Sequence, residues 1–186
     1  MMNKNIIAHM VAGALLLSVS AASMAATTVG NHSQSVGATV TSGTCSITWP
    51  TNVSFSISSA DTAAVSHDGM IGEVQSAGNI TLTNCPANTA MKWSVQTQNR
   101  AQGNNYQGLF TNESGQTVNT LGFMMGKTEN LKSQPWNLST TNANLGKTDA
   151  HGSLTVPVFV GLVKRGTTAV APGSLNATVA YTVSYN

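Results

Sequence analysis

The C-terminal stretch LNATVAYTVSYN, residues 175–186, constrains this chain more than any other segment. Leu175, Ala177, Val179, Tyr181, Val183 and Tyr185 fall on one face, and Asn176, Thr178, Ala180, Thr182, Ser184 and Asn186 fall on the other. That period-two pattern is the signature of a β-strand with one face in a core. A strand of this kind offers backbone N–H and C=O groups to neighbours on both sides. Nothing follows it in sequence, so the expectation is a sheet whose next strand is missing and whose apolar edge invites another chain to pair.

The rest of the chain reads as β-structure. After Cys45 come SITW before Pro50, VSFSI before a Ser-Ala-Asp stretch, NITLTNC and MKWSVQTQ, each bounded by turn residues. Residues 99–119, rich in Gly, Asn and Gln, read as long loops around one short strand at Gly108-Leu109-Phe110. LGFMMGK and LTVPVFVGLVKRG return to strand pattern, and Ala171-Pro172-Gly173 punctuates the approach to the last strand. No segment carries an apolar helical stripe longer than about two turns. Several short strands joined by turns predict an all-β, immunoglobulin-like sandwich. The alternative is a jelly roll or barrel, although a barrel leaves no free edge.

Residues 1–25, MMNKNIIAHMVAGALLLSVSAASMA, have a basic start at Lys4, an apolar run from Ile6 to Val19 and small residues beyond it. This is the pattern of a secretory signal peptide. Ser23 and Ala25 suit cleavage before Ala26. An uncleaved anchor is the competing reading, but His9 and Gly13 interrupt the run, which is shorter than the roughly 20 residues a spanning helix needs. The 161 residues that remain make one ordinary domain. They hold seven Lys or Arg against six Asp or Glu. With no basic stripe and no interleaved aromatics, nucleic-acid binding has no support. Lys164-Arg165 reads as a solvated turn.

Cys45 and Cys85 are the only cysteines. In an oxidising compartment they are expected to form one structural disulfide, the alternative being two unpaired thiols. The absence of a C-x-x-C spacing argues against a redox role. His32, His67 and His151 show no metal-ligand spacing, so no metal or other cofactor is expected. Asp149-Ala-His151 and His67-Asp68 lack any G-x-S-x-G elbow beside them, and no catalytic residues are assigned. Asn112-Glu-Ser114 and Asn137-Leu-Ser139 read as surface turns and strand edges.

Assembled in this way, the chain resembles the pilins of chaperone–usher pili of the type 1 fimbria-like group. The resemblance covers the mature chain. It rests on SGTCSI after a polar arm, ITLTNCP about forty residues later, Gly173 fourteenth from the end, Tyr185 in the penultimate place, and the alternation between those two. It implies an immunoglobulin-like sandwich lacking its last strand, which a partner donates. A periplasmic chaperone lends a strand during folding. At the outer-membrane usher the N-terminal arm of the neighbouring pilin replaces it, giving a fibre on the bacterial surface that supports cell adhesion. Gly173, Leu175, Ala177, Val179, Tyr181, Val183 and Tyr185 would line the groove, and the carboxylate of Asn186 would anchor in the chaperone.

On the same resemblance residues 1–25 are the leader, 26–44 the donor arm and 45–186 the pilin domain. The arm register that alternates best is Gly30, His32, Gln34, Val36, Ala38 and Val40, with His32 and Gln34 standing where the family favours aliphatic residues. An unpartnered Gln34 in a core would cost about 1–3 kcal/mol. The other reading is that the arm pairs only from Val36 onward. A structural subunit is thus expected. The rival is a single-domain fimbrial adhesin that contacts a host glycan or protein through residues 99–119 or Trp136, with its receptor unknown.

Overall fold

A computed structural model describes residues 45–185, which lie in one compact unit, Ser42–Asn186. The elements are β1 (Ser46–Thr48), α1 (Ser59–Ala63), β2 (Met70–Thr83), β3 (Ala90–Thr97), β4 (Arg100–Ala101), β5 (Asn104–Asn112), β6 (Thr117–Gly126), β7 (Ser139–Lys147), β8 (Leu154–Lys164), β9 (Leu175–Asn176) and β10 (Val179–Ser184). One sheet runs β1-β2-β8-β6-β5-β4 with β9 also on β5, and the other runs β10-β3-β7. The pairs are antiparallel. Two separate sheets exclude the closed barrel.

The order β1-β2-β8-β6 follows strands A-B-E-D of an immunoglobulin domain, and β3 and β10 take the places of C and F. Strand G of that fold pairs with F. Among the described residues no strand occupies that edge of β10.

Alternation builds the core between the sheets. On β3, Met91, Trp93 and Val95 are buried while Lys92, Ser94 and Gln96 are not. On β8, Val156 and Val158 alternate with the exposed Thr155 and Pro157 before 160–164 become buried throughout, and the Trp93 and Trp136 rings meet edge to face at 4.7 Å. A smaller cluster lies on the other face of the large sheet, where Leu131 covers Met124 and Val163 beside Met70, Val74 and Phe159. This double cover explains why residues 121–126 are all buried, without alternation.

The cysteine reading holds: Cys45 and Cys85 form a disulfide with their Cα atoms 4.2 Å apart. The bond joins the start of β1 to the end of β2, neighbours in one sheet, rather than crossing between sheets. Beside it Gly152 has φ +73, and a Cβ there would run into the Cys85 carbonyl, so only glycine fits.

Four local expectations differ from the structure. Residues 99–119 form β4, β5 and the start of β6, because Asn and Gly supply tight turns rather than loops. Asn112, for example, accepts from the N–H groups of Ser114 and Gln116 across the β5–β6 turn. Lys164-Arg165 is no solvated turn: Lys164 is 6% exposed at the end of β8, and Arg165 bonds Gln107 and donates its N–H to Thr120 O. Trp136 is buried against Trp93, which removes it from any receptor-binding surface. Finally, the continuous last strand is split, since β9 pairs with β5 of one sheet and β10 with β3 of the other.

Candidate functional site

Between the sheets, alongside β10, lies a cleft of about 1160 Å³. One wall is the segment 50–57. Its alternation is that of a strand, with Val53, Phe55 and Ile57 half-buried against the core and Asn52, Ser54 and Ser56 exposed. It nevertheless lacks a strand's pairing. Thr51 donates both its N–H and its hydroxyl to Ala77 O, at 2.8 and 3.1 Å, and Gln75 Nε2 donates to Ser54 O at 3.1 Å. Among the described residues the backbone of 52–57 makes no other backbone hydrogen bond.

The far end of this wall is fixed by a capping box. Asp61 N–H donates to Ser58 Oγ, while the Asp61 carboxylate accepts from Ser58 N–H at 2.7 Å and from Ser58 Oγ at 2.8 Å. These bonds from the Ser58 backbone and hydroxyl hold the Asp61 carboxyl below the usual carboxylate range. The wall is therefore tied at both ends, and between them the Ser54 carbonyl's bond from Gln75 is the one hydrogen bond its backbone makes among the described residues.

The second wall is 171–179 and Tyr181, including β9 and the first half of β10. The floor is apolar: Ala77 from β2, Phe110 from β5, Leu121, Phe123 and Met125 from β6, and Val160 and Leu162 from β8. Phe110 and Phe123 meet edge to face at 5.5 Å, and the Phe123 ring fills the space where a side chain at Gly108 would stand. No lining residue carries a charge. Tyr181 is the one titratable group among them; burial pushes its phenol above the ordinary tyrosine range, and its hydroxyl meets Met125 Sδ at 3.9 Å. An uncharged trough whose facing edges, 52–57 and β10, carry no backbone pairing toward it among the described residues is shaped to take an extended peptide as an added strand.

Of the residues expected in the groove, Gly173, Leu175, Ala177, Val179 and Tyr181 line the cleft. Val183 packs on the core, and Tyr185 is 40% exposed; neither lines it. Asn186 and the arm residues Gly30, His32, Gln34, Val36, Ala38 and Val40 lie outside the described residues. Sequence reasoning missed Val53, Phe55 and Ile57 as a wall and all the floor residues. The VSFSI alternation carried the first of these; the floor needed the topology.

The His–Asp pairs serve the loops. Asp149 Oδ1 accepts from His151 and Ser153 N–H, both at 2.8 Å, which closes a turn. His67 Nε2 lies 3.2 Å from Asp68 Oδ2, and its Nδ1 accepts from Gly166 N–H at 2.6 Å. Among the described residues no group of three or more His, Cys, Asp or Glu gathers as a metal site.

A family model described as "Fimbrial protein" matches residues 32–186. None of the curated proteins compared matches the chain. Solved structures that share the fold include two from pili. The crystal structure of the P pilus rod subunit PapA has a TM-score of 0.53 at 17% identity, covering 76% of this chain and 99% of that one. A chaperone–usher pilus structure that describes rod uncoiling has a TM-score of 0.54 at 13% identity, covering 86% and 98%.

Proposed function

The chain belongs to the fimbrial protein family, and from that premise we propose that it is a structural subunit of a surface pilus that polymerises by donor-strand exchange. One observation carries the reading: the uncharged cleft between 50–57 and β10, unpaired along both sides among the described residues. Strand addition satisfies both rows of backbone groups at once, and side chains alternating into the floor fix the register. Donor-strand complementation of pilins is itself a known instance of this mode.

In this account residues 1–25 direct export, 26–44 form the arm that a subunit lends to its neighbour, and 45–186 form the receiving domain. A periplasmic chaperone holds the cleft filled until the outer-membrane usher brings up the next arm. Val183 and Tyr185, beyond the cleft, together with Asn186, are what the chaperone reads at the chain terminus. The product is a fimbrium on the cell surface that supports adhesion, with the protein acting as structure and not as a catalyst.

Deleting residues 26–36 separates donating from receiving. The deleted subunit keeps its disulfide-closed domain and its cleft, so it is expected to fold and to bind the chaperone. It is also expected to form no polymer alone and to shorten fibres when mixed with the intact chain. Long fibres from the deleted form alone would overturn the assignment of the arm.

A further inference from the structure

The face of the arm that alternates best carries polar side chains at His32 and Gln34 and apolar ones at Val36, Ala38 and Val40. The cleft has a polar point of its own. Among its lining residues, Tyr181 is the one that is not exposed and yet has a polar side-chain atom with no oxygen or nitrogen partner. Its hydroxyl meets only the Met125 thioether, at 3.9 Å. A thioether is a weak acceptor, and the phenol oxygen can still accept a bond itself. By contrast, the hydroxyls of Thr51 and Thr62 are engaged with Ala77 O and Ser59 O at 3.1 and 2.8 Å. The Trp49 ring stacks on Tyr181 with centroids 5.9 Å apart, which holds the phenol in place.

We infer that the Tyr181 hydroxyl takes the side-chain amide of Gln34 from the arm of a second copy and so fixes the register of that arm, an inference that rests on the donor-strand reading above. A slip by one residue would turn the arm's apolar face out of the cleft, so only shifts by two compete. With the arm antiparallel to β10 and Gln34 opposite Tyr181, Val36 lies opposite Val179, Ala38 opposite Ala177 and Val40 opposite Leu175. His32 then falls opposite Val183, which does not line the cleft. A parallel arm with the same pair sets His32 opposite Val179 and carries Val36 and Ala38 past the cleft's end. Shifting the antiparallel arm so that His32 meets Tyr181 strands the Gln34 amide over the apolar floor, where an unpaired polar group is costly. The opposite shift lays Val36 on the hydroxyl and offers it no donor. In the favoured register Gln34 Nε2–H donates to the phenol oxygen, while the phenol O–H stays on Met125 Sδ.

Disulfide trapping in polymers of the full mature chain reads this register without altering Gln34 or Tyr181. Ala38→Cys is combined in turn with Leu175→Cys, Ala177→Cys or Val179→Cys, and the oxidised polymers are run on a denaturing gel without reductant. Residues directly opposite on paired strands lie about 4.5–5.5 Å apart at Cα, within disulfide reach, and a shift by two takes them beyond roughly 7 Å. The pair with Ala177→Cys is expected to give a covalent ladder at least tenfold stronger than the other two. Adding Tyr181→Phe, or Gln34→Leu in the arm, is expected to spread the cross-links, so that this preference falls at least threefold. A ladder dominated by Leu175→Cys or Val179→Cys overturns the register, and a preference unchanged by the added variants overturns the role of the hydroxyl. Gln34→Leu lies outside the folded domain and decides the second point even if Tyr181→Phe fails to accumulate. Cross-links confined to single subunits would overturn the second copy as the occupant. No ladder from any of the three pairs would instead remove the donor-strand reading itself.

Discussion

Ala177 offers a perturbation that is silent in the free subunit and severe in the fibre. It is exposed, lines the cleft, and lies between the half-buried Leu175 and Val179. In an open cleft the carboxylate of Ala177→Asp stands in water, and exposed substitutions of this kind change stability by at most about 0.5 kcal/mol. Once a strand covers it, the carboxylate loses that water and finds no cationic partner, since no lining residue is charged. An unpaired buried charge costs several kcal/mol. Taking about 3 kcal/mol, strand affinity falls roughly 150-fold.

The pH dependence has a definite sign. Covering the cleft pushes the introduced carboxyl above its ordinary value near 4. The loss of assembly is complete above the raised value, diminishes as pH falls through it, and disappears below the ordinary one. Sedimentation and electron microscopy give polymer yield, and thermal denaturation gives the stability of the unpolymerised subunit. Thr182→Asp, on the exposed face of β10 and outside the cleft, is the control. Wild-type polymer yield from Ala177→Asp at neutral pH, or equal losses from both variants, would refute the reasoning.

Replacing both Cys45 and Cys85 with Ser is expected to destabilise the domain by about 4 kcal/mol, from the chain entropy of the loop they close across a separation of 40 residues; a urea titration should show a midpoint lower by roughly 2 M. Tyr181 is expected to keep its proton beyond the ordinary tyrosine range, because burial raises its folded-state pKa. The unfolded chain then loses that proton first, so stability is intact below pH ~10 and falls as pH rises beyond it. The late phenolate step should coincide with alkaline unfolding and vanish in Tyr181→Phe.

What was legible in the sequence was what depends on local alternation. The period-two runs in β3, the first half of β8 and β10 matched strands because one face of each meets the core and the other does not. The run at 121–126 was a strand too, but its burial on both faces depends on Leu131 and its neighbours folding over the outer face of the large sheet. That cover arises from the fold and leaves no mark on the strand itself. Residues 99–119 misled because Asn and Gly fit hairpin turns as well as loops. The split of the last strand was equally hidden: the alternation from Leu175 to Tyr185 persists through the switch from β5 to β3, so nothing in the side chains announces it.

The candidate site divides along the same line. Its β10 wall was legible from the alternation that reaches Tyr181, although the pattern overran the cleft into Val183 and Tyr185. The VSFSI wall was visible as a strand but not as an unpaired one, since pairing is a property of neighbours. The floor draws on β2, β5, β6 and β8, which only the folded topology brings together.

The central claim is that a neighbouring copy's arm completes this sandwich. An electron cryomicroscopy map of the assembled fibre tests it most directly, at a resolution that traces side chains along β10 and 50–57. The account predicts a continuous strand in every internal cleft, paired to β10, carrying residues from 30–40 and leading into the adjacent subunit. A cleft left open in the fibre, or filled by the subunit's own arm, would contradict it.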